Sequence, residues 1–408
     1  MKKVRGLIFL LLIIITSPVF SQQGIPPMQT QPWWLSLELG KQRFRSGDYG
    51  RALLLFEDAR RNRRAMYEQK ERDFINFLSL GEVRRIGDSL EILERFSRDR
   101  YYTAASAALD ELFHRVPRAS LNNSANKALE AFDKLKNYPE AEFWIGEIFR
   151  IEGNLSMALA QYRRAYSMRE QLEDPGFAVE LLYKIAGVLL VRQEYNEMIR
   201  VLNSIIVEHD TLWTSTGRVD PRSATANAPI PVPHDQMMDS FISQAMTTTL
   251  QNNGIGRFLE LYRYNNKVVE PAHRQLGFFY IITGRQAAQR HLMFAFLIQN
   301  TVIIEEIMRQ RFDFNLTNPD PRREDRIYEL KLLAEEINKN PILLAYVNEV
   351  EYFKTAYYLA VSLHLNGRLN IARDLWAFLA AQPQAGEWHS RAVMQLHNPR
   401  LYTPVEMP

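Results

Sequence analysis

From Trp33 onward, apolar residues recur three and four positions apart. Leu53, Phe56 and Ala59 show the pattern, as do Leu109, Leu112 and Val116, and Leu181, Ile185, Val188 and Leu189. This is the 3.6-residue period of a half-buried helix, and the period-two alternation of a strand is scarce. Breakers at Gly47-Asp48, Gly153-Asn154, Asp174-Pro175-Gly176, Thr283-Gly284 and Asn366-Gly367 cut the periodic stretches short. Turns this frequent predict an all-α chain of antiparallel helical hairpins.

The glycines give the hairpins a common layout. Three pairs lie seven apart: Gly40 and Gly47, Gly146 and Gly153, Gly277 and Gly284. Chance placement of 18 glycines among 408 residues gives roughly 0.8 such pairs. Ala52 and Phe56 follow Gly47 as Ala158 and Tyr162 follow Gly153. Gly367 opens the same run with Ala372 and Trp376, and Ala360 stands where the first glycine would be. A glycine inside a helix costs about 1 kcal/mol against alanine unless close packing repays it. The second glycine suits a helix end in the left-handed region. The alanine is expected where two antiparallel helices cross, and the aromatic is expected to fill the gap to the next hairpin.

This arrangement resembles the tetratricopeptide repeat family, in which small residues, an aromatic, a glycine turn, and then Ala, aromatic and Ala recur over about 34 residues. Residues 33–66 and 139–172 match well. Weaker units surround Tyr102, Ala105, Leu109, Leu112 and Pro117, and Ala186, Leu189, Tyr195, Leu202 and Ile205. Gly277 to Ala295 and Ala356 to Leu379 complete the set. The family's early Trp is absent, with Ser36 and Glu142 in its place, and Gly40 and Gly146 are 106 residues apart. The resemblance implies a right-handed superhelical solenoid of degenerate repeats.

The stretch 211–236 holds Pro221, Pro229, Pro231 and Pro233 and has no helical period, so it reads as a linker or long loop. It divides the expected arrays, 33–210 and 237–398, and a tail at 399–408 follows. A second break falls at Thr317-Asn318-Pro319-Asp320-Pro321, and Pro383 to Gly386 is expected to start the last element. At the other end, Lys2, Lys3 and Arg5 precede an apolar run from Leu7 to Ile15. A basic head and a short apolar segment are the pattern of a secretory signal, here 1–21, with a flexible mature start at 22–32. Cleavage is expected after Ser21; an uncleaved anchor, and with it membrane association, is the alternative. The run is too short to span about 30 Å of hydrocarbon, and no other stretch nears 18 uncharged apolar residues. The expected location is therefore a bacterial periplasm or the envelope.

Removing the signal also removes the charge. The chain has 50 basic and 47 acidic residues, and the signal carries three bases and no acid. The neutral remainder has no global field to draw it onto nucleic acid. Cysteine is absent, which excludes disulfides and thiolate chemistry.

Motifs for catalysis or cofactors are missing. The eight histidines include no pair at i,i+4, and His389 and His397, eight apart, have no carboxylate suited to a metal between them. Gly254 and Gly256 follow no strand and read as a turn. Neither cofactor nor metal is expected, and the chain reads as a non-enzymatic protein. The run Arg60-Arg61-Asn62-Arg63-Arg64 reads as a salt-laced helix surface, with an anion or anionic-lipid contact as the alternative.

In the family, the first helices of the hairpins line a groove for partner peptides. Carried onto the matching positions, that implies Lys41, Phe44, Arg45, Phe143, Glu147, Arg150, Phe278, Tyr357 and His364 as a partner groove. The family's lysine and asparagine clamp for a carboxylate terminus is not present. The leading expectation is a scaffold for protein or peptide partners. The alternative is a small-ligand carrier or transport accessory with a pocket inside the superhelix, near Phe278 and Phe279.

Overall fold

A computed structural model describes residues 31–79, 123–209, 254–256, 258–259, 262–314, 316 and 327–399. The expected signal, the unit around Tyr102, the Pro-rich stretch 211–236, the break at Thr317 to Pro321 and nearly all of the tail lie outside them. Every regular element among the described residues is helical. The chain forms two compact units, Met1–Ala178 and Val179–Pro408.

The N-terminal unit contains α1 (Trp33–Arg45), α2 (Tyr49–Ser79), α3 (Asn123–Leu135), α4 (Pro139–Ile151) and α5 (Leu155–Ser167). Helix α1 packs on α2 and α4 packs on α5. Helix α2 also packs on α4, so the second helix of one hairpin meets the first helix of another. Their shared core holds Leu37, Ala52, Phe56, Ala59, Tyr138, Ala141, Ile145 and Ile148.

Helix α6 (Phe177–Val191) crosses the boundary, and all but its first two residues belong to the C-terminal unit. That unit continues with α7 (Tyr195–His209), α8 (Glu270–Ile282), α9 (Ala287–Gln310), α10 (Tyr328–Lys339), α11 (Pro341–Glu349), α12 (Tyr352–Leu365), α13 (Leu369–Ala380) and α14 (Glu387–His397). The sequence led us to expect α6 and α7 in the N-terminal array. Specific bonds hold them to the C-terminal helices instead. The Tyr183 hydroxyl donates to the Val268 carbonyl (2.6 Å) and accepts from the Ala272 amide (3.2 Å). Asn266 donates to the carbonyl of His209 (2.7 Å). Helix α8 pairs with α9 and α12 with α13, while α7 packs on α8 and α9 on α12. A short 3-10 turn, Pro383–Ala385, precedes α14 where Pro383 to Gly386 marks the start of the last element.

One closure recurs at five hairpins. Gly47, Gly153, Gly284 and Gly367 adopt φ of +79°, +77°, +67° and +76°. Gln193 takes φ 62° at the same place between α6 and α7. At each, the left-handed residue's amide bonds to the carbonyl three before it, and the next amide bonds to the carbonyl five before that amide. These are the paired bonds that satisfy the last carbonyls of a helix. Gly47 to Phe44 (3.0 Å) with Asp48 to Arg43 (3.0 Å), and Gln193 to Leu190 (2.9 Å) with Glu194 to Leu189 (2.9 Å), are two of the sets.

The first glycine of each pair meets a large side chain of its own hairpin. Gly40 faces the ring of Phe56, Gly146 that of Tyr162, and Gly277 the side chain of Leu292. The aromatic thus packs first within its own hairpin, and the expectation that it fills the gap to the next is met in part. Phe56 lies first on Gly40, and only its other surroundings include Trp144 from the neighbouring hairpin, at 5.9 Å between centroids. Ala52, Ala158 and Ala372 are fully buried, in keeping with helices that meet closely. In the Gly277 hairpin the buried alanine, Ala288, arrives one residue early, and Leu292 and Ala295 shift with it.

Two long helices carry their hairpins past 34 residues. Helix α2 runs for 31 residues and α9 for 24. Among the described residues, α9 is the one helix long and apolar enough to cross a membrane, and 83% of that stretch is buried within the fold. It is a core helix here, with Gln299, Asn300 and Thr301 buried along it.

Candidate functional site

The structure separates the expected groove residues into two groups. Arg45 and Arg150 are exposed, and Lys41 and Phe44 are half-buried. Lys41 pairs with Glu38 (2.6 Å), and Arg150 with Glu147 (2.9 Å). The Phe44 ring stands 5.1 Å from that of Trp144. Phe143, Phe278 and Tyr357 are buried, which corrects their expected exposure to a partner. Phe143 lies among Trp144, Tyr162 and Phe177, and Phe278 lies against Tyr358 and under the ammonium of Lys354. The Tyr357 hydroxyl accepts from Gln395 (3.1 Å). Glu147 is also buried, accepting from the Tyr162 hydroxyl, and His364 is half-buried beside Trp376.

Glu142 of α4 anchors an ionic cluster in the N-terminal unit. Glu142 is 1% exposed, yet its carboxylate takes two guanidiniums. Arg60 of α2 reaches both oxygens through Nη1 (3.2 and 3.1 Å), and Arg164 of α5 reaches Oε1 through Nε (3.1 Å). These groups form the floor of a cleft of about 330 Å³ bounded also by Glu57, Arg61, Arg64, Lys136, Asn137, Tyr138 and Met168. Burial pulls the Lys136 ammonium down, but its bonds to Asp133 and Glu71 outweigh that and hold it above its usual value. Nearby, the buried Arg63 lies between the rings of Trp33 (4.6 Å) and Tyr138 (4.5 Å) and donates to the Leu135 carbonyl (3.0 Å). The basic run is therefore split. Arg63 turns inward, Arg60 crosses to Glu142, and Arg61 and Arg64 stay on the surface.

A second cleft, of about 280 Å³, opens in the C-terminal unit between α11, α12 and α14. Glu351, Lys354, Trp388 and Arg391 are among its walls. Glu351 is held at φ 50°, a conformation that costs a residue with a Cβ on the order of 1–3 kcal/mol. Its carboxylate receives Arg274 of α8 and Lys354 (2.8 Å). Arg274 continues to Glu270 (3.0 Å), which also accepts from the buried Gln299 (2.6 Å). Burial pushes the Glu270 carboxyl above its usual range, while Arg274 and Gln299 pull the other way.

The search for pairs at i,i+4 missed one set of histidines. His273 of α8 and His291 of α9 are buried with their Nδ1 atoms 3.1 Å apart. They are 18 residues apart in the chain and meet across the Gly277 hairpin, so helical spacing alone does not join them. Among the described residues, no group of three or more His, Cys, Asp or Glu is placed to hold a metal ion.

No family model matches the chain. A Treponema pallidum protein described as "Uncharacterized protein" is 25% identical over 370 residues, spanning 90% of this chain and 89% of that one. The likeness therefore runs through both helical units.

Proposed function

We propose that this protein is an exported, non-enzymatic array of tetratricopeptide-like hairpins, a right-handed solenoid that holds protein or peptide partners at the bacterial cell envelope. The observation that carries this reading is the repeated order of packing. In each unit, the second helix of one hairpin lies on the first helix of another: α2 on α4, α7 on α8, and α9 on α12. Stacks built this way leave first helices with an outward face, a surface that repeat proteins use for binding. On α1 and α4 that face includes Arg45, Arg150 and Ile151, all exposed. The basic and apolar start of the chain supports export.

The test is a photo-crosslinking amino acid placed at Arg45 or Arg150 in cells. A discrete protein adduct in the envelope fraction is expected from these positions, and none from Leu54 on α2. Retention of the chain in the cytosol, or adducts independent of position, overturns the proposal. A second reading, a carrier of small ligands, is favoured by the cleft beside Trp388 and Arg391. Mass spectrometry of small molecules that co-purify with the chain would decide for it.

A further inference from the structure

The cleft of the N-terminal unit carries more positive than negative groups. Five cations line it against two carboxylates, Glu57 and Glu142. The cations are not equivalent. Lys136 is already held by Glu71 and Asp133, each at 2.8 Å. Arg61 and Arg64 pair with Asp58 (3.2 Å) and Glu68 (2.8 Å) on the exposed side of their own helix, where such pairs are weak and rearrange readily. Arg60 and Arg164 differ from these. They come from different helices, α2 and α5, and one buried carboxylate fixes both. Glu142 offers one negative charge to two positive ones. Arg60 contacts it through Nη1 and Arg164 through Nε, so each guanidinium keeps further N–H donors beyond that contact.

We propose that this cleft receives a phosphoryl group, whether free phosphate or the phosphate of a small molecule, between Arg60 and Arg164. Two forks approaching from different sides suit a tetrahedral, doubly charged group with three or more acceptor oxygens better than a planar carboxylate. Glu142 is the positioning residue: it holds the guanidiniums in place before the ligand arrives. The volume, about 330 Å³, falls at the low end of small-ligand pockets and leaves room for the body of a phosphomonoester beside Met168 and Tyr138. Arg61 and Arg64, both exposed, stand among the residues that line the cleft. This site does not depend on partner binding, and loss of either leaves the other intact.

The test is calorimetry on the full mature chain at physiological salt, with inorganic phosphate, glycerol phosphate and acetate as probes. Saturable binding of phosphate is expected, with acetate much weaker. Tighter binding of glycerol phosphate than of free phosphate supports a small molecule as the source, and the reverse supports the free ion. Arg60→Gln and Arg164→Gln should each weaken phosphate binding about tenfold or more, as loss of a charge-assisted donor does. Each single variant leaves one guanidinium on Glu142, and circular dichroism checks that it folds. Arg51→Gln, exposed and outside the cleft, should change nothing. No binding at millimolar phosphate, equal affinity for acetate, or binding indifferent to both cleft substitutions overturns the proposal.

Discussion

The ring of Phe56 occupies the space a side chain at Gly40 would need: a Cβ there would stand 2.5 Å from the Phe56 Cε1 atom. The two residues are 16 apart, on facing helices of one hairpin. Phe56 is fully buried and cannot step aside without disturbing the core it shares with Ala52 and Trp144. Gly40→Ala is therefore expected to destabilise by about 1–2 kcal/mol, overpacking outweighing the gain of nearly 1 kcal/mol in helix propensity. Pairing it with Phe56→Leu should give a sum well short of additive, because the smaller side chain relieves the clash. Urea denaturation of the single and double variants checks both.

Gln193 offers the opposite change. It adopts the left-handed conformation that glycine supplies at the other four hairpin closures. Gln193→Gly is expected to raise stability by about 1 kcal/mol, relief of the Cβ strain exceeding the added freedom of the unfolded chain. A higher urea midpoint with an unchanged slope is the measurement.

At Glu142 the expected order of costs is asymmetric. Its partners Arg60 and Arg164 have side chains 33% and 54% exposed, so both can return to water when the carboxylate is removed. Glu142→Gln should cost about 1–2 kcal/mol. Replacing both arginines by Gln should cost more, since it strands a buried carboxylate without a cation. Equal costs in thermal and urea melts would contradict this arrangement.

Glu270 sets a dependence on pH. Burial raises its carboxyl above the usual 4.5, so the folded chain holds that proton more tightly than the unfolded one. The resulting stabilisation is full below about 4.5 and is lost as pH rises through the raised value. Glu270→Gln removes this titration. Relative to wild type, the variant should gain stability as pH climbs across that window, as read from urea midpoints.

How far the sequence reveals these features depends on how close together their parts lie. The turns at Gly47, Gly153, Gly284 and Gly367 are legible because one residue type suits their conformation. The turn at Gln193 has the same backbone but no glycine to mark it. Ala186, Leu189, Leu202 and Ile205, buried on either side, carry the trace. The alanine and aromatic positions are legible as buried but not as to partner, since periodicity names a face and not what covers it. The family's groove positions, carried onto Phe143, Phe278 and Tyr357, imply exposure to a partner, and all three lie inside. The ionic sites are illegible in sequence. Arg60 and Glu142 are 82 residues apart, and Arg274 and Glu351 are 77 apart, so only the folded chain unites them.

The left-handed closures also bear on how the chain assembles. Each fixes a bend using amides and carbonyls within five residues, and the side chains that lock it follow within sixteen. Hairpins of such low contact order form fast, long before distant segments meet. A chain delivered end-first can thus build itself hairpin by hairpin in order of arrival, each finished pair offering a template for the next and leaving little sticky surface waiting for a late partner.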